Sequence, residues 1–160
     1  ALDDAGGVVA GGAPLSERLD EAEAVRMYGC MVTLQAMDAV FYEAQRQGRF
    51  SFYMTATGEE ASNIGSAAAL RDEDVVFAQY REAGVLLWRG WCARRFADQL
   101  VGNIDDLGKG RQMPVHYGDA SRNFHTISSP LATQLPQAVG AAYGLKLSGA
   151  DDAVAVAYFG

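Results

Sequence analysis

Pro130 and Pro136 constrain this chain more than any other pair of residues. They bracket Ser128-Ser129-Pro130-Leu131-Ala132-Thr133-Gln134-Leu135-Pro136, where composition alone would allow a helix. Pro136 has no amide hydrogen, and its ring would collide with the carbonyl of Ala132 if residues 130–136 were helical. The carbonyls of the loop must then find partners outside a helical ladder. Two readings follow. Ser129 can be an N-cap with Pro130 at the first helical position, which makes the segment a capped turn. Alternatively, the loop carbonyls, the hydroxyls of Ser128, Ser129 and Thr133 and the amide of Gln134 form an oxygen-rich pocket beside a helix start. Such a pocket suits a hard cation or the polar edge of a cofactor.

Composition bounds the partners. With 160 residues, 49% hydrophobic and 21% charged, the chain can build one core. A net charge of -7 without a Lys/Arg cluster excludes a nucleic-acid footprint. No apolar run is long enough for a membrane span, and no signal segment opens the chain. Cys30 and Cys92 match no metal or redox spacing and suit a reducing compartment. That compartment is read as bacterial cytoplasm, with the mitochondrial matrix as the alternative. The chain does not begin with Met and stops on Tyr158-Phe159-Gly160 after an apolar run, so it reads as a fold cut short.

Residues 1–15, with Gly6-Gly7, Gly11-Gly12 and Pro14, read as a flexible leader, and 16–160 as one domain. Ser16 and Glu17 are expected to open a helix of about thirty residues. Its apolar stripe is Met27, Met31, Leu34, Met37 or Asp38, Phe41 and Ala44, with a break possible at Gly29 and a cap at Gly48. Residues 50–54 alternate, as in a strand or an ordered loop. Thr57-Gly58-Glu59-Glu60 offers a capping box for a small-residue helix running to Leu70 and placed inside the molecule. A strand is expected at 75–78 and helices at 81–89 and 93–101. An aperiodic stretch covers 102–126, a helix 137–147 and a strand 153–159. This is an α/β order with a parallel sheet and flanking helices. Ligands of such sheets sit beyond the carboxyl ends of the strands, which singles out Gln79-Tyr80-Arg81-Glu82. There a phenol, a guanidinium and free helix amides can hold an anion such as a phosphate. The plainer alternative pairs Arg81 with Glu82 or Asp74.

Five strings occur together and in order. They are Phe52-Tyr53-Met54, Thr57-Gly58-Glu59-Glu60, Gln79-Tyr80-Arg81-Glu82-Ala83-Gly84, Gly108-Lys109-Gly110-Arg111-Gln112-Met113-Pro114-Val115-His116-Tyr117-Gly118, and Ser128 to Gly140. Over residues 17–160 they resemble the alpha subunits of the thiamine-diphosphate-dependent, branched-chain 2-oxo acid dehydrogenases. Pyruvate and acetoin dehydrogenase alpha subunits share the frame and remain an alternative, as does a non-catalytic assembly module. A nicotinamide-binding domain fits poorly, since no Gly-x-Gly-x-x-Gly follows a strand.

The resemblance implies a thiamine-diphosphate-binding fold, represented here by its N-terminal part. Matched residue by residue, Tyr80 and Arg81 hold the cofactor's diphosphate, and Gln79 lines the channel to the active site. Ser128, Pro130 (through its carbonyl), Thr133 and Gln134 are ligands of a structural potassium ion. Ser129 and Leu131 touch the aminopyrimidine side of the cofactor. Gly160 matches the first glycine of a turn whose acidic residue, with a later Asn, binds magnesium, so those ligands are expected beyond Gly160. His116 and His125 receive no chemical step, and no catalytic residue is assigned within these 160 residues. The implied reaction is oxidative decarboxylation of branched 2-oxo acids such as 3-methyl-2-oxobutanoate. The implied partners are a beta subunit, in an alpha2beta2 assembly, and a lipoyl-bearing acyltransferase.

Overall fold

The structure is a computed structural model that describes residues 19–150 and 152–160. The expected leader at 1–15 and the Ser16-Glu17 helix start lie outside the described residues. Helix α1 runs Glu21–Arg46, and the Asp20 carboxylate caps it by accepting from the amide of Glu23 at 2.7 Å. Gly29 causes no break. The expected stripe is the one that packs: Leu34 and Met37 are buried, and Met27, Met31 and Phe41 lie against the core. Gly48 follows the helix at φ +75°, a left-handed turn that suits glycine.

Residues 50–54 are an ordered loop, not a strand. Helix α2 spans Glu60–Ala68, shorter than expected, and only half of the expected capping box forms. Glu60 accepts from the amide of Gly58 at 2.9 Å, but Thr57 does not cap. The reason is local: Gly58 sits at φ +86°, and this turn puts Glu59 at the N-cap in place of Thr57. One face of α2 (Asn63, Ile64 and Ala67) is buried, while Ala61 and Ser62 remain exposed. Placing the whole helix inside the molecule is thus corrected to one buried face.

Strand β1 (Val75–Phe77) leads through a turn into α3 (Ala83–Trp88), and α4 covers Ala93–Val101. The stretch expected to lack structure contains a short 3-10 turn, Ala120–Arg122, and a two-residue strand, β2 (Phe124–His125). Helix α5 spans Gln134–Ser148, and β3 spans Ala155–Ala157. The sheet order is β2-β1-β3, and both pairings are parallel: Val76 faces Phe124 and Val156. Helices α1, α2 and α3 pack together, and α5 covers β1 and β3.

The proline segment does not adopt the expected capped turn. Helix α5 starts at Gln134 rather than Gln137, and the N-cap is Thr133, so Ser129 and Pro130 precede the helix. Pro136 falls in the first turn, where an amide hydrogen would have no helical partner anyway. Ala132 takes φ +66°, which keeps residues 130–133 out of a continuous helix. A left-handed alanine costs about 1–2 kcal/mol, so the surrounding contacts must hold it there.

Candidate cofactor and cation site

The carboxyl edge of the sheet gathers both predicted clusters. Gln79, just past β1, accepts from the amide of Gly160 through Oε1 at 2.9 Å. Gln134, at the start of α5, is buried and donates from Nε2 to the carbonyl of Tyr158 at 2.8 Å. Both glutamines are therefore anchored to residues 158–160, on the extension of β3. This tether brings the turn 79–82 and the loop 128–134 to the same end of the parallel sheet, where such sheets bind ligands.

Tyr80 and Arg81 are half-buried in the turn between β1 and α3. The Arg81 guanidinium carbon lies 5.9 Å from the Tyr80 ring centroid, within cation–π range. One guanidinium nitrogen donates to the carbonyl of Thr55 at 3.3 Å. Among the described residues Arg81 makes no ion pair, so the alternative pairing with Glu82 or Asp74 is not seen. Asp74 instead accepts from the amides of Arg71 and Val154. Glu82 turns inward and accepts from the amide of Gln79 at 2.7 Å. Burial lifts its carboxyl above the usual range against the pull of that amide, and Glu59 adds to the rise. Arg81 keeps donors uncommitted to any carboxylate, which is the chemistry an anionic diphosphate needs.

In the loop 128–134, the Pro130 carbonyl accepts from the Thr133 hydroxyl at 2.9 Å, so two of the expected potassium ligands are adjacent. Ser128 is half-buried, and Leu131 is 68% exposed. Among the described residues no three His, Cys, Asp or Glu side chains gather as a metal site. An ion in this loop would meet neutral hydroxyl and carbonyl oxygens, which suits a hard monovalent cation.

His116, to which the sequence gives no chemical step, has a structural place here. It is buried, and its Nδ1 lies 3.0 Å from the Pro114 carbonyl. A carbonyl only accepts, so Nδ1 is assigned the proton and Nε2 the lone pair. The exposed Ser129 then donates its hydroxyl to Nε2 at 2.7 Å. Val115 sits beside it at φ +66°, a rare backbone for a β-branched residue. It is clamped by Gln99, which accepts from the amide of Val115 at 3.0 Å and donates to the carbonyl of Met113 at 2.7 Å. His125 is exposed, and its ring stacks on Phe77 at 4.3 Å.

Comparison with known proteins decides the family. The model described as "Dehydrogenase E1 component" matches residues 28–160. The chain belongs to this dehydrogenase E1 family. Over 143 residues it is 63% identical to 2-oxoisovalerate dehydrogenase subunit alpha 2, mitochondrial, of Arabidopsis thaliana, covering 89% of this chain and 30% of that protein. It is 58% identical over 141 residues to the mitochondrial alpha subunit of the same name from Caenorhabditis elegans, covering 88% and 33%. The Homo sapiens alpha subunit is also 58% identical, over 142 residues, covering 89% and 32%. The chain thus spans about a third of the length of the curated relatives it matches. In this E1 chain the described residues contain no helix long and apolar enough to cross a membrane.

Proposed function

We propose that this chain is part of the alpha subunit of a branched-chain 2-oxo acid dehydrogenase, a decarboxylating component that uses thiamine diphosphate. The observation that carries the reading is the Tyr80–Arg81 turn at the carboxyl end of β1, with a guanidinium uncommitted to any carboxylate. The E1 family depends on thiamine diphosphate, and the relatives named above are 2-oxoisovalerate dehydrogenase alpha subunits. When bound, the cofactor supplies an electron sink for the loss of carbon dioxide from a 2-oxo acid. Arg81 and Tyr80 neutralise and orient the diphosphate. Gln79 lines the approach, and Ser129 and Leu131 border the aminopyrimidine. Ser128, the Pro130 carbonyl, Thr133 and Gln134 hold potassium, and magnesium is bound by residues following Gly160.

A beta subunit completes the site in an alpha2beta2 assembly, and a lipoyl-bearing acyltransferase takes the acyl group. The relatives' names place them in mitochondria, which favours the mitochondrial matrix over bacterial cytoplasm. The test uses the full-length chain assembled with its beta subunit. Carbon dioxide release from 3-methyl-2-oxobutanoate is expected to exceed that from pyruvate in kcat/KM. Equal or faster turnover of pyruvate would move the chain to the pyruvate branch. In the same assembly Arg81→Ala should weaken thiamine diphosphate binding in titration calorimetry, and an unchanged Kd would refute the clamp.

A further inference from the structure

Asp38 is out of place as a core residue. It occupies the apolar stripe of α1 between Leu34 and Phe41 and is only 4% exposed. A buried carboxylate without hydrogen-bond partners is costly, and among the described residues no basic side chain pairs with this one. Both of its oxygens are instead committed to one segment. The Tyr53 hydroxyl donates to Oδ1 at 2.7 Å, and the Ala56 amide donates to Oδ2 at 2.7 Å.

The segment 52–56 belongs to no helix or strand, so side contacts alone fix its path. Its residues divide between two neighbours. Tyr53 and Ala56 turn to Asp38, and the Tyr53 ring packs edge-on against Phe41 at 5.6 Å. Phe52 and Thr55 meet the turn after β1. The Phe52 ring stands edge-on to Tyr80 at 6.5 Å, and the Thr55 carbonyl accepts from Arg81 at 3.3 Å.

We propose that Asp38 is a positioning residue for the Tyr80–Arg81 anion clamp, acting through the segment 52–56 that it pins to α1. The inference rests on the reading of Tyr80 and Arg81 as the diphosphate clamp. Asp38 itself touches neither clamp residue. Its carboxylate holds the Tyr53 hydroxyl and the Ala56 amide, and the neighbouring Phe52 and Thr55 fix the ring of Tyr80 and the fork of Arg81. Glu60, from α2, and Tyr117 are the other titratable groups that face Asp38 and Tyr53.

The experiment is a double-mutant cycle in the full-length chain assembled with its beta subunit, with thiamine diphosphate titrated by calorimetry. Asp38→Asn keeps the size of the side chain but cannot accept at both positions. It is expected to raise Kd about tenfold, the scale of one lost charge-assisted hydrogen bond. In turnover the loss should fall on KM for thiamine diphosphate far more than on kcat. On an Arg81→Ala background Asp38→Asn should add less than threefold, because the guanidinium that the Thr55 carbonyl orients is gone and only the Phe52 contact to the Tyr80 ring remains. A full additional loss there would overturn the proposal. So would an unchanged Kd for Asp38→Asn while Arg81→Ala weakens binding, and that result would leave the clamp itself standing. An unchanged Kd for Arg81→Ala instead defeats the clamp and this inference with it. If Asp38→Asn does not assemble, Tyr53→Phe decides. A raised Kd supports the proposal, and a wild-type Kd overturns it.

Discussion

The Ser129 hydroxyl donates to Nε2 of His116 across 2.7 Å, joining the loop before α5 to the strained turn at Val115. The imidazole is fixed from its other side by the Pro114 carbonyl. Its orientation is therefore set by backbone, and Ser129 is held by it rather than the reverse. Among the described residues, the loop 128–133, exposed at 129–132, thus has one hydrogen bond to a buried side chain, that of His116.

His116→Ala removes that anchor and leaves the Pro114 carbonyl without its partner. The expected loss is about 2 kcal/mol, the net worth of two ordinary hydrogen bonds. Hydrogen exchange of the assembled protein should speed up at residues 128–133 and not in α1. Uniform change across the chain, or none in the loop, would contradict an anchoring role.

Gly118 lies where residues 117–119 and 126–127 run side by side. The amide of Ile127 donates to the Tyr117 carbonyl at 3.0 Å. A Cβ at Gly118 would sit 2.7 Å from the Cα of Thr126 and collide with its Oγ1. Backbone is in the way, so no rotamer change relieves the clash. Gly118→Ala is expected to cost about 3 kcal/mol and to lower the melting temperature by several degrees. Gly140→Ala is the control, because nothing lies within 4 Å of a Cβ there. Equal melting temperatures for the two variants would disprove the close approach.

The sequence made some of this legible and hid the rest for physical reasons. The stripe of α1 and helix α4 stand out because each buries one periodic face, and the strand at Val75–Phe77 because it is a short apolar run after a polar turn. Strand β2 does not, because two residues carry no period, and only pairing with β1 makes Phe124 and His125 extended. The expected start of α5 falls three residues late, because Pro136 rules out a helix continuous through 130–136. A proline in the first turn is tolerated, and the break lies at Ala132, whose positive φ no alanine announces. Tyr80 and Arg81 were legible as a strand-end pair. The contacts of Asp38 with Tyr53 and Ala56 and of His116 with Ser129 are not legible, since those partners are at least thirteen residues away in sequence and only the fold unites them.

The oxygens of the loop 128–134 predict a cation effect on stability. The Pro130 carbonyl and the Thr133 hydroxyl lie 2.9 Å apart, and the left-handed Ala132 between them stores strain that a bound ion would offset. Exchange of potassium for sodium in the full assembly should lower the melting temperature. Thr133→Val should remove most of that difference by deleting one ligand. Identical melting curves in the two salts would count against an ion in this loop.

Asp74 gives the pH dependence its sign. The carboxylate is buried at the start of β1. It accepts from the amide of Val154 at 2.9 Å and from the amide of Arg71 at 2.7 Å. Burial alone would raise its pKa. The two amides, with the charges of Arg71 and Arg89, outweigh burial and hold the carboxyl below its usual range. In the unfolded chain the group titrates near about 3.9, so between the two values the unfolded state carries more protons. Its contribution is therefore complete above the unfolded value and is lost as pH falls through the folded one. Asp74→Asn should destabilise the protein by about 2 kcal/mol at pH 7, because one of the two backbone amides then faces an NH2 group and the other keeps only a neutral acceptor. The gap in melting temperature from wild type should close as pH is lowered toward 3. A gap of the same size at pH 7 and pH 3 would show that Asp74 is not charged in the fold or that its two amides find other partners.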